Sequence, residues 1–504
     1  MAQRILLDRP LSWQEVGAVA EGAQLSLSPD AQRRIGAARA LVESLVAKGV
    51  RAYGVNTGVG ALCDVIVTRP QQQQLSRNIL MSHAVGVGPA LEATEVRAII
   101  AAAVNNFAHG YSGVRLAVVD QLLALLAHDC VPEVPAAGSV GYLSHMAHIA
   151  LPLVGQGAAR LHGRLVGGGE ALQALNLPAL VLEAKEGLSL VNGTPCATGL
   201  AAIALTRAQR LLDWADVAAA MTVENLHGQL AAFDPTALGL RHSPGVAHVG
   251  ARLRELLAGS EILKRSAGRR TQDALSLRAV PQVHGAVRDG FAQAASVVDA
   301  ELASVTDNPI VIGTPDEPRA LSEANAVGTG LGLMADSLAI GVAEVAAMSE
   351  RRLDRLVNPL VSGLPAFLAA DSGVGSGFMI AQYTAVSLVA DNRRLAAPAS
   401  LDGGITSGLQ EDHLSHATPA ALKLLKIIGN AEFIVAIELL AAAQAYELQR
   451  DSAARAPRTE AVYRRVRDAI AHYRDDRPLG ADIQSARDLV RQPFAHPAAQ
   501  PFAR

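Results

Sequence analysis

The chain has 504 residues, half of them apolar, 18% charged and 3% aromatic, with a formal net charge of −3. That length exceeds what one core usually fills, so two or three substructures are expected. So apolar a composition excludes a disordered chain, and so small a charge gives no footing for nucleic acid or an anionic membrane as partner.

With few aromatics, the core must be filled by Ala, Leu and Val, two of which are strong helix formers, so a mainly α fold is expected. Cys63, Cys130 and Cys196 lie far apart, form no CxxC or Cys/His pattern, and give no metal site. An odd, low cysteine count fits a reducing compartment, the cytoplasm. The N-terminus lacks a basic segment followed by an apolar one, and no stretch reaches 18 consecutive apolar residues, so neither a secretory signal nor a membrane span is expected.

In chain order, Ser12 and Glu15 have the spacing of a capping box for a first short helix. Ser28-Pro29 opens a longer one, with Ile35, Ala38, Leu41 and Leu45 at helical spacing, ending near Gly49. Residues 51–60 carry three glycines and an asparagine around Tyr53, which predicts a loop bearing one phenol. Helices are expected over 71–83, 93–109 and up to about 127, and a hairpin or loops over 166–178. From 197 the stretches lengthen: 197–232, 247–258, 283–305, 327–357, 375–395, 412–447 and 458–475. Stretches so long and so rich in Ala and Leu predict a bundle buried on more than one face. Two domains are expected, 1–196, mixed but mostly helical, and 197–504, the long-helix bundle.

The chain is organised around Gly138-Ser139-Val140-Gly141-Tyr142-Leu143-Ser144-His145-Met146-Ala147-His148. Two glycines three apart permit a tight backbone there, and His145 and His148 would share a helix face. This is a loop held over a pocket, or a Gly-rich turn capping a core helix. Elsewhere the loops offer a phenol (Tyr53), amides (Asn56, Asn192, Gln282, Asn325), a cation (Arg278) and a carboxylate (Glu411). An amino acid substrate needs such groups: a cation or amide for its carboxylate, an acceptor for its ammonium, and a base over the reacting carbon. As base, Tyr53 would need a depressed pKa. Taken singly, Tyr53 also reads as a core tyrosine, Arg278 as a structural ion-pair partner and Glu411-Asp412 as a helix start.

Long motifs join these residues. They include Tyr53-Gly54-Val55-Asn56-Thr57-Gly58, Ser82-His83-Ala84, Gly110-Tyr111-Ser112-Gly113-Val114-Arg115 and Gly138-Ser139-Val140-Gly141. Further along come Lys185-Glu186-Gly187-Leu188, Asn192-Gly193-Thr194, Gln272-Asp273, Ser276-Leu277-Arg278 and Pro281-Gln282-Val283. Thr306-Asp307-Asn308-Pro309, Ser376-Gly377-Phe378-Met379 and Gln410-Glu411-Asp412-His413 complete the set. Over about residues 10–480 the sequence resembles the histidine and aromatic amino acid ammonia-lyases and their related aminomutases. The resemblance implies a mainly α ammonia-lyase-like fold with a long central helical bundle. It also implies a homotetramer whose active sites draw on three subunits. Tyr53 then resembles the general base and Arg278 the carboxylate clamp. Asn192 resembles a polar group beside the substrate's amino side, and His83, Gln282, Asn325 and Glu411 match lining positions.

Members of that family cyclise an internal Ala-Ser-Gly into a methylidene-imidazolone electrophile. The matching positions here are Tyr142, Leu143 and Ser144. Leucine has no hydroxyl to lose, so the expectation is a protein without this group and with no other cofactor. The aspartate that usually follows is His145, and the family's second tyrosine is Leu275. The family's Gly-Gly-Asn-Phe-His reads Glu323-Ala324-Asn325-Ala326-Val327, and its Pro-Gly-Gln reads Pro244-Gly245-Val246. The sequence therefore points to a lyase-like enzyme acting on an amino acid or related amino-carboxylate by direct elimination or addition. Tyr53, Tyr142, His145 and Glu411 are its catalytic candidates. The alternatives are an inactive homologue that binds a ligand or partner, and a conventional ammonia-lyase. Tyr142, His145 and His148 also admit plain space filling.

Overall fold

The computed structural model describes residues 3–401, 403–450 and 452–494. It is mainly α, as composition predicts. Two compact units emerge: Met1–Thr206 with Ala295–Asp336 and Pro398–Leu422, and Arg207–Ala294 with Ser337–Ala397 and Lys423–Arg504. The single boundary expected after residue 196 falls near the first crossing between them. Of the later crossings, three run through long helices and one falls just after helix Met379–Leu395.

Local chemistry sets the early elements. Ser12 and Glu15 form the expected capping box on helix Trp13–Ala20. Ser28 caps helix Pro29–Ala47, with proline at its start. The predicted helices over 71–83 and 93–109 are Gln72–His83 and Ala93–Ala108. Small sheets brace this unit. Arg4–Leu7 pairs in parallel with Gln24–Leu27, and Val87–Ala90 runs antiparallel to Pro135–Ala137. The hairpin expected within 166–178 instead pairs Ala158–Leu161 with Arg164–Gly167, and Gly168–Ala174 is helical. The helix-forming run Glu170 to Ala174 decides that shift.

The long helices begin and end where backbone chemistry stops them. Helix Pro195–Asn225 halts short of residue 232 because His227 turns left-handed at φ 54°. Helix Met379–Leu395 starts late because Gly377 sits at φ 54°, with the Asp476 carboxylate accepting from the Ser376 and Gly377 N–H groups. Helix Ala417–Glu447 begins after His416 at φ 47°. Helices Pro195–Asn225 and Ala417–Glu447 bury their Ala, Leu and Val residues nearly all round, as a multi-face bundle requires, whereas Met379–Leu395 buries only one side. Inside the second unit, Glu438 is fully buried. It accepts from Arg352 Nε at 2.6 Å and Nη2 at 2.8 Å, from Thr222 Oγ1 at 2.8 Å and from Ser349 Oγ at 2.6 Å.

Candidate active site

Tyr53 sits in the predicted loop, which its own sequence folds tightly. Gly54 is left-handed at φ 62°, and a Cβ there would collide with Leu188 Cδ2. Asn56 closes the turn, accepting from Ala52 N at 2.8 Å and donating to Val50 O at 2.9 Å. Its amide is thus used by the backbone. The half-buried Tyr53 hydroxyl accepts from Gly60 N at 3.0 Å. The loop is tied to a second one through Ala61 N, which donates to Ser407 Oγ at 3.2 Å. That second loop pairs Thr406 with Glu411, whose Oε2 accepts from the Tyr142 hydroxyl at 2.8 Å. Tyr142 and Glu411 are therefore bonded, and Tyr53 lies within electrostatic reach of both.

The expected depression of the Tyr53 pKa is not found. Burial, the larger cause, and the nearby Glu411 charge push the phenol above its ordinary value, while the Gly60 N–H pulls the other way. Among the described residues, the groups acting on it include no cation. Burial, then the bond and charge of Glu411, push the Tyr142 phenol up strongly, so it rests as a proton donor.

The loop at 142–144 forms a tight γ-turn. Leu143 has φ 78° and ψ −78°, and Ser144 N donates to Tyr142 O at 3.2 Å. This hand of turn is rare and strained for a residue with a side chain. Leu143 N donates to Val191 O at 3.0 Å, beside Asn192, and Ser139 Oγ donates to Tyr142 O at 3.0 Å. A seven-residue helix, Ser144–Ala150, follows.

His145 and His148 share one side of it, as their spacing predicts. His145 is 1% exposed, and its Nε2 donates to Ala136 O at 3.1 Å. Its Nδ1 is enclosed without a partner. That ring serves the turn and is not presented to Tyr53 or Glu411, which departs from its expected catalytic place. His148 Nε2 accepts from Gly86 N at 3.0 Å, which fixes the neutral tautomer.

Burial lowers the His148 pKa below its ordinary value. Between the folded and unfolded pKa values the unfolded chain holds more protons, so stability is lost as pH falls below about 6.5. His148→Gln keeps an acceptor for Gly86 without a proton to gain. Its denaturation midpoint should therefore fall less than the parent's between pH 7.5 and 5.5. Equal losses would remove His148 from the titrating set.

The remaining candidates divide between the units. His83 ends its helix with Nδ1 3.0 Å from Ser82 Oγ, and burial lowers its pKa. Asn192, at the end of helix Glu186–Val191, is 6% exposed and donates to Asn308 O at 2.6 Å. Asn325 is exposed, with its main-chain N–H on the Glu323 carboxylate. In the second unit, Arg278 and Gln282 line a cavity of about 420 Å³ with Gln229, Gln272, Asp273 and Leu275. Arg278 Nε donates to Asp273 O at 2.9 Å, and the Gln272 side-chain amide, turned so that its oxygen faces the guanidinium, accepts from it. The cation is thus held by its flank, and the Gln282 side-chain oxygen is enclosed without a partner.

Sequence reasoning did not single out Gly60, Ser407 or Gln229. The first acts through its N–H and the second through a loop-to-loop bond, neither of which leaves a residue-type signal. Gln272 lay inside a quoted motif, but its hold on Arg278 needed coordinates.

Residues 11–468 match the family described as aromatic amino acid lyase. The chain is 44% identical over 489 residues to the histidine ammonia-lyase of Deinococcus radiodurans, covering 96% of this chain and 93% of that protein. It is also 44% identical over 492 residues to that of Symbiobacterium thermophilum, with coverages of 97% and 96%. Its structure is similar to crystallised histidine ammonia-lyase from Trypanosoma cruzi, with TM-score 0.89, 36% identity and coverages of 97% and 93%. Tyrosine aminomutase from Streptomyces globisporus gives TM-score 0.91, 31% identity and 97% of both chains.

Proposed function

The chain belongs to the aromatic amino acid lyase family, and on that premise we propose that it is a carbon–nitrogen lyase that releases ammonia from an amino acid. The names of its relatives favour histidine as substrate and support the conventional reading. The observation that carries the proposal is the family match over residues 11–468, and the resemblance of Tyr53, Asn192, Arg278, Gln282 and Glu411 to the family's amino acid handle supports it. In the proposed reaction, the carbon next to the amino-bearing carbon gives a proton to Tyr53 and ammonia leaves, forming a carbon–carbon double bond. Arg278 holds the substrate carboxylate and Asn192 faces the amino group. Tyr142 is the proposed donor to the leaving nitrogen, its hydroxyl proton turning from Glu411 to that nitrogen as the bond breaks.

The residues at 142–144 do not fit the family's methylidene-imidazolone. Leu143 lacks a leaving hydroxyl, and the nitrogen that would close the ring belongs to a serine. This favours a second form of the reading, in which elimination or addition proceeds directly on a substrate whose proton is acidified by a neighbouring carbonyl. Three free cysteines support a reducing, cytoplasmic setting. Exposed Leu62, Val65, Ile66, Ile405 and Leu409 support a surface covered by further copies, as in a homotetramer with shared sites.

Ammonia release from L-histidine, together with the intact mass of the chain, tests these forms. Ammonia with an unshifted mass supports direct elimination. Ammonia with a mass short by two waters supports the conventional enzyme and overturns the assignment at Leu143. Saturable binding without ammonia would leave an inactive binding homologue, and absence of both would overturn histidine as substrate.

A further inference from the structure

Two motifs, Lys185-Glu186-Gly187-Leu188 and Thr306-Asp307-Asn308-Pro309, have no part in the reaction as proposed. In the fold they meet. Lys185 and Asp307 have fully buried side chains, and Lys185 Nζ donates to Asp307 Oδ2 at 3.0 Å and to Ser189 Oγ at 2.8 Å. Enclosing both charges is unfavourable unless the remaining lone pairs and protons also find partners. Both Asp307 oxygens find further partners: Ser189 Oγ lies 2.9 Å from Asp307 Oδ2, and Asn308 N donates to Asp307 Oδ1 at 2.8 Å. The buried pair therefore fixes the backbone at Asn308.

Asn308 in turn is an acceptor on two sides. Its carbonyl takes the Asn192 side-chain amide at 2.6 Å. Its own Oδ1 takes Glu323 N at 2.9 Å and the Ser322 hydroxyl at 3.3 Å. The Glu323 carboxylate then accepts from Asn325 N. The side-chain amide of Asn192 and, through Glu323, the backbone of Asn325 are thus tied to one residue.

We infer that Asn308, anchored by the Lys185–Asp307 pair, is a positioning residue that holds Asn192 and Asn325 at a fixed separation for the substrate. The inference rests on the proposed role of those two amides. It follows from geometry: Asn325 is exposed, so the 322–325 segment depends on these few bonds for its place. Small misplacements of substrate-holding groups are costly to rate, about 10²-fold for 1 Å.

The test uses the full chain with Asn308→Ala and Asn308→Asp. Asn308→Ala removes Oδ1 but leaves the carbonyl that Asn192 uses, whereas Asn308→Asp keeps an acceptor oxygen. In Asn308→Ala the Glu323 amide should exchange its hydrogen about tenfold faster, the scale of one lost hydrogen bond, with exchange over 195–225 unchanged. kcat/KM for L-histidine should fall at least about tenfold, and Asn308→Asp should recover most of it. A residue that is structural only would lower the melting temperature without changing kcat/KM of the folded enzyme. Parent-like exchange at Glu323, or faster exchange with parent-like kcat/KM, would overturn the inference. Should the parent neither bind L-histidine nor release ammonia from it, the functional reading fails. Exchange at Glu323 and Asn325 then still decides whether Asn308 holds the segment.

Discussion

Tyr53→Phe is expected to lower ammonia release from L-histidine by about 10²- to 10⁴-fold, the usual contribution of a positioned acid or base. Binding should stay near the parent's, because the ring and the loop around it remain. The phenol accepts from Gly60 N, so its loss leaves that N–H without its partner at a stability cost of about 1 kcal/mol. The pH profile carries the sharper signature. Tyr53 works as a base only when ionised, and burial together with Glu411 holds its pKa above the ordinary phenol value. Parent turnover should therefore rise with pH through the neutral range, by about tenfold per unit, and Tyr53→Phe should lose that rise. Mutant turnover equal to the parent's, with the same slope, would end the assignment. Steady-state rates from pH 6.5 to 9.5 and calorimetric binding of L-histidine supply both readouts.

The second large effect concerns stability. Glu438 and Arg352 are both fully buried and joined by two short bonds, and among the described residues Arg352 Nη1 has no partner of its own. Replacing Glu438 alone, as Glu438→Met, strands a buried guanidinium and should cost about 3–5 kcal/mol. Replacing both, as Glu438→Met with Arg352→Met, removes the two desolvated charges together and should return most of that loss. Thr222 and Ser349 lose an acceptor in either variant, so recovery should stop short of complete. Thermal or urea unfolding of the three proteins checks this. A double variant as unstable as the single one would mean that Glu438 acts through its hydroxyl partners rather than through Arg352.

These two residues differ in how far they could be foreseen. Tyr53 stood out because a phenol in a Gly/Asn loop is unusual and because its motif resembles a known family. Glu438 lies in an apolar helical run where nothing distinguishes a structural carboxylate from a solvated one. The same contrast holds for the histidines. The spacing of His145 and His148 placed them on one face, and they share it. Only coordinates showed both rings facing backbone groups, Ala136 O and Gly86 N.

The sequence by itself determined the mainly α class, the first helix caps, the long buried helices and the absence of a hydroxyl at Leu143. Helix class and caps are local matters, set by propensity, by side-chain-to-backbone bonds a few residues apart and by the period of apolar residues. Tertiary structure alone decided three things: the raised Tyr53 phenol, the Tyr142–Glu411 bond, and the joining of Lys185, Asp307 and Asn308 behind Asn192. Each depends on burial or on partners far apart in the chain, and neither quantity is carried by the order of residues along it.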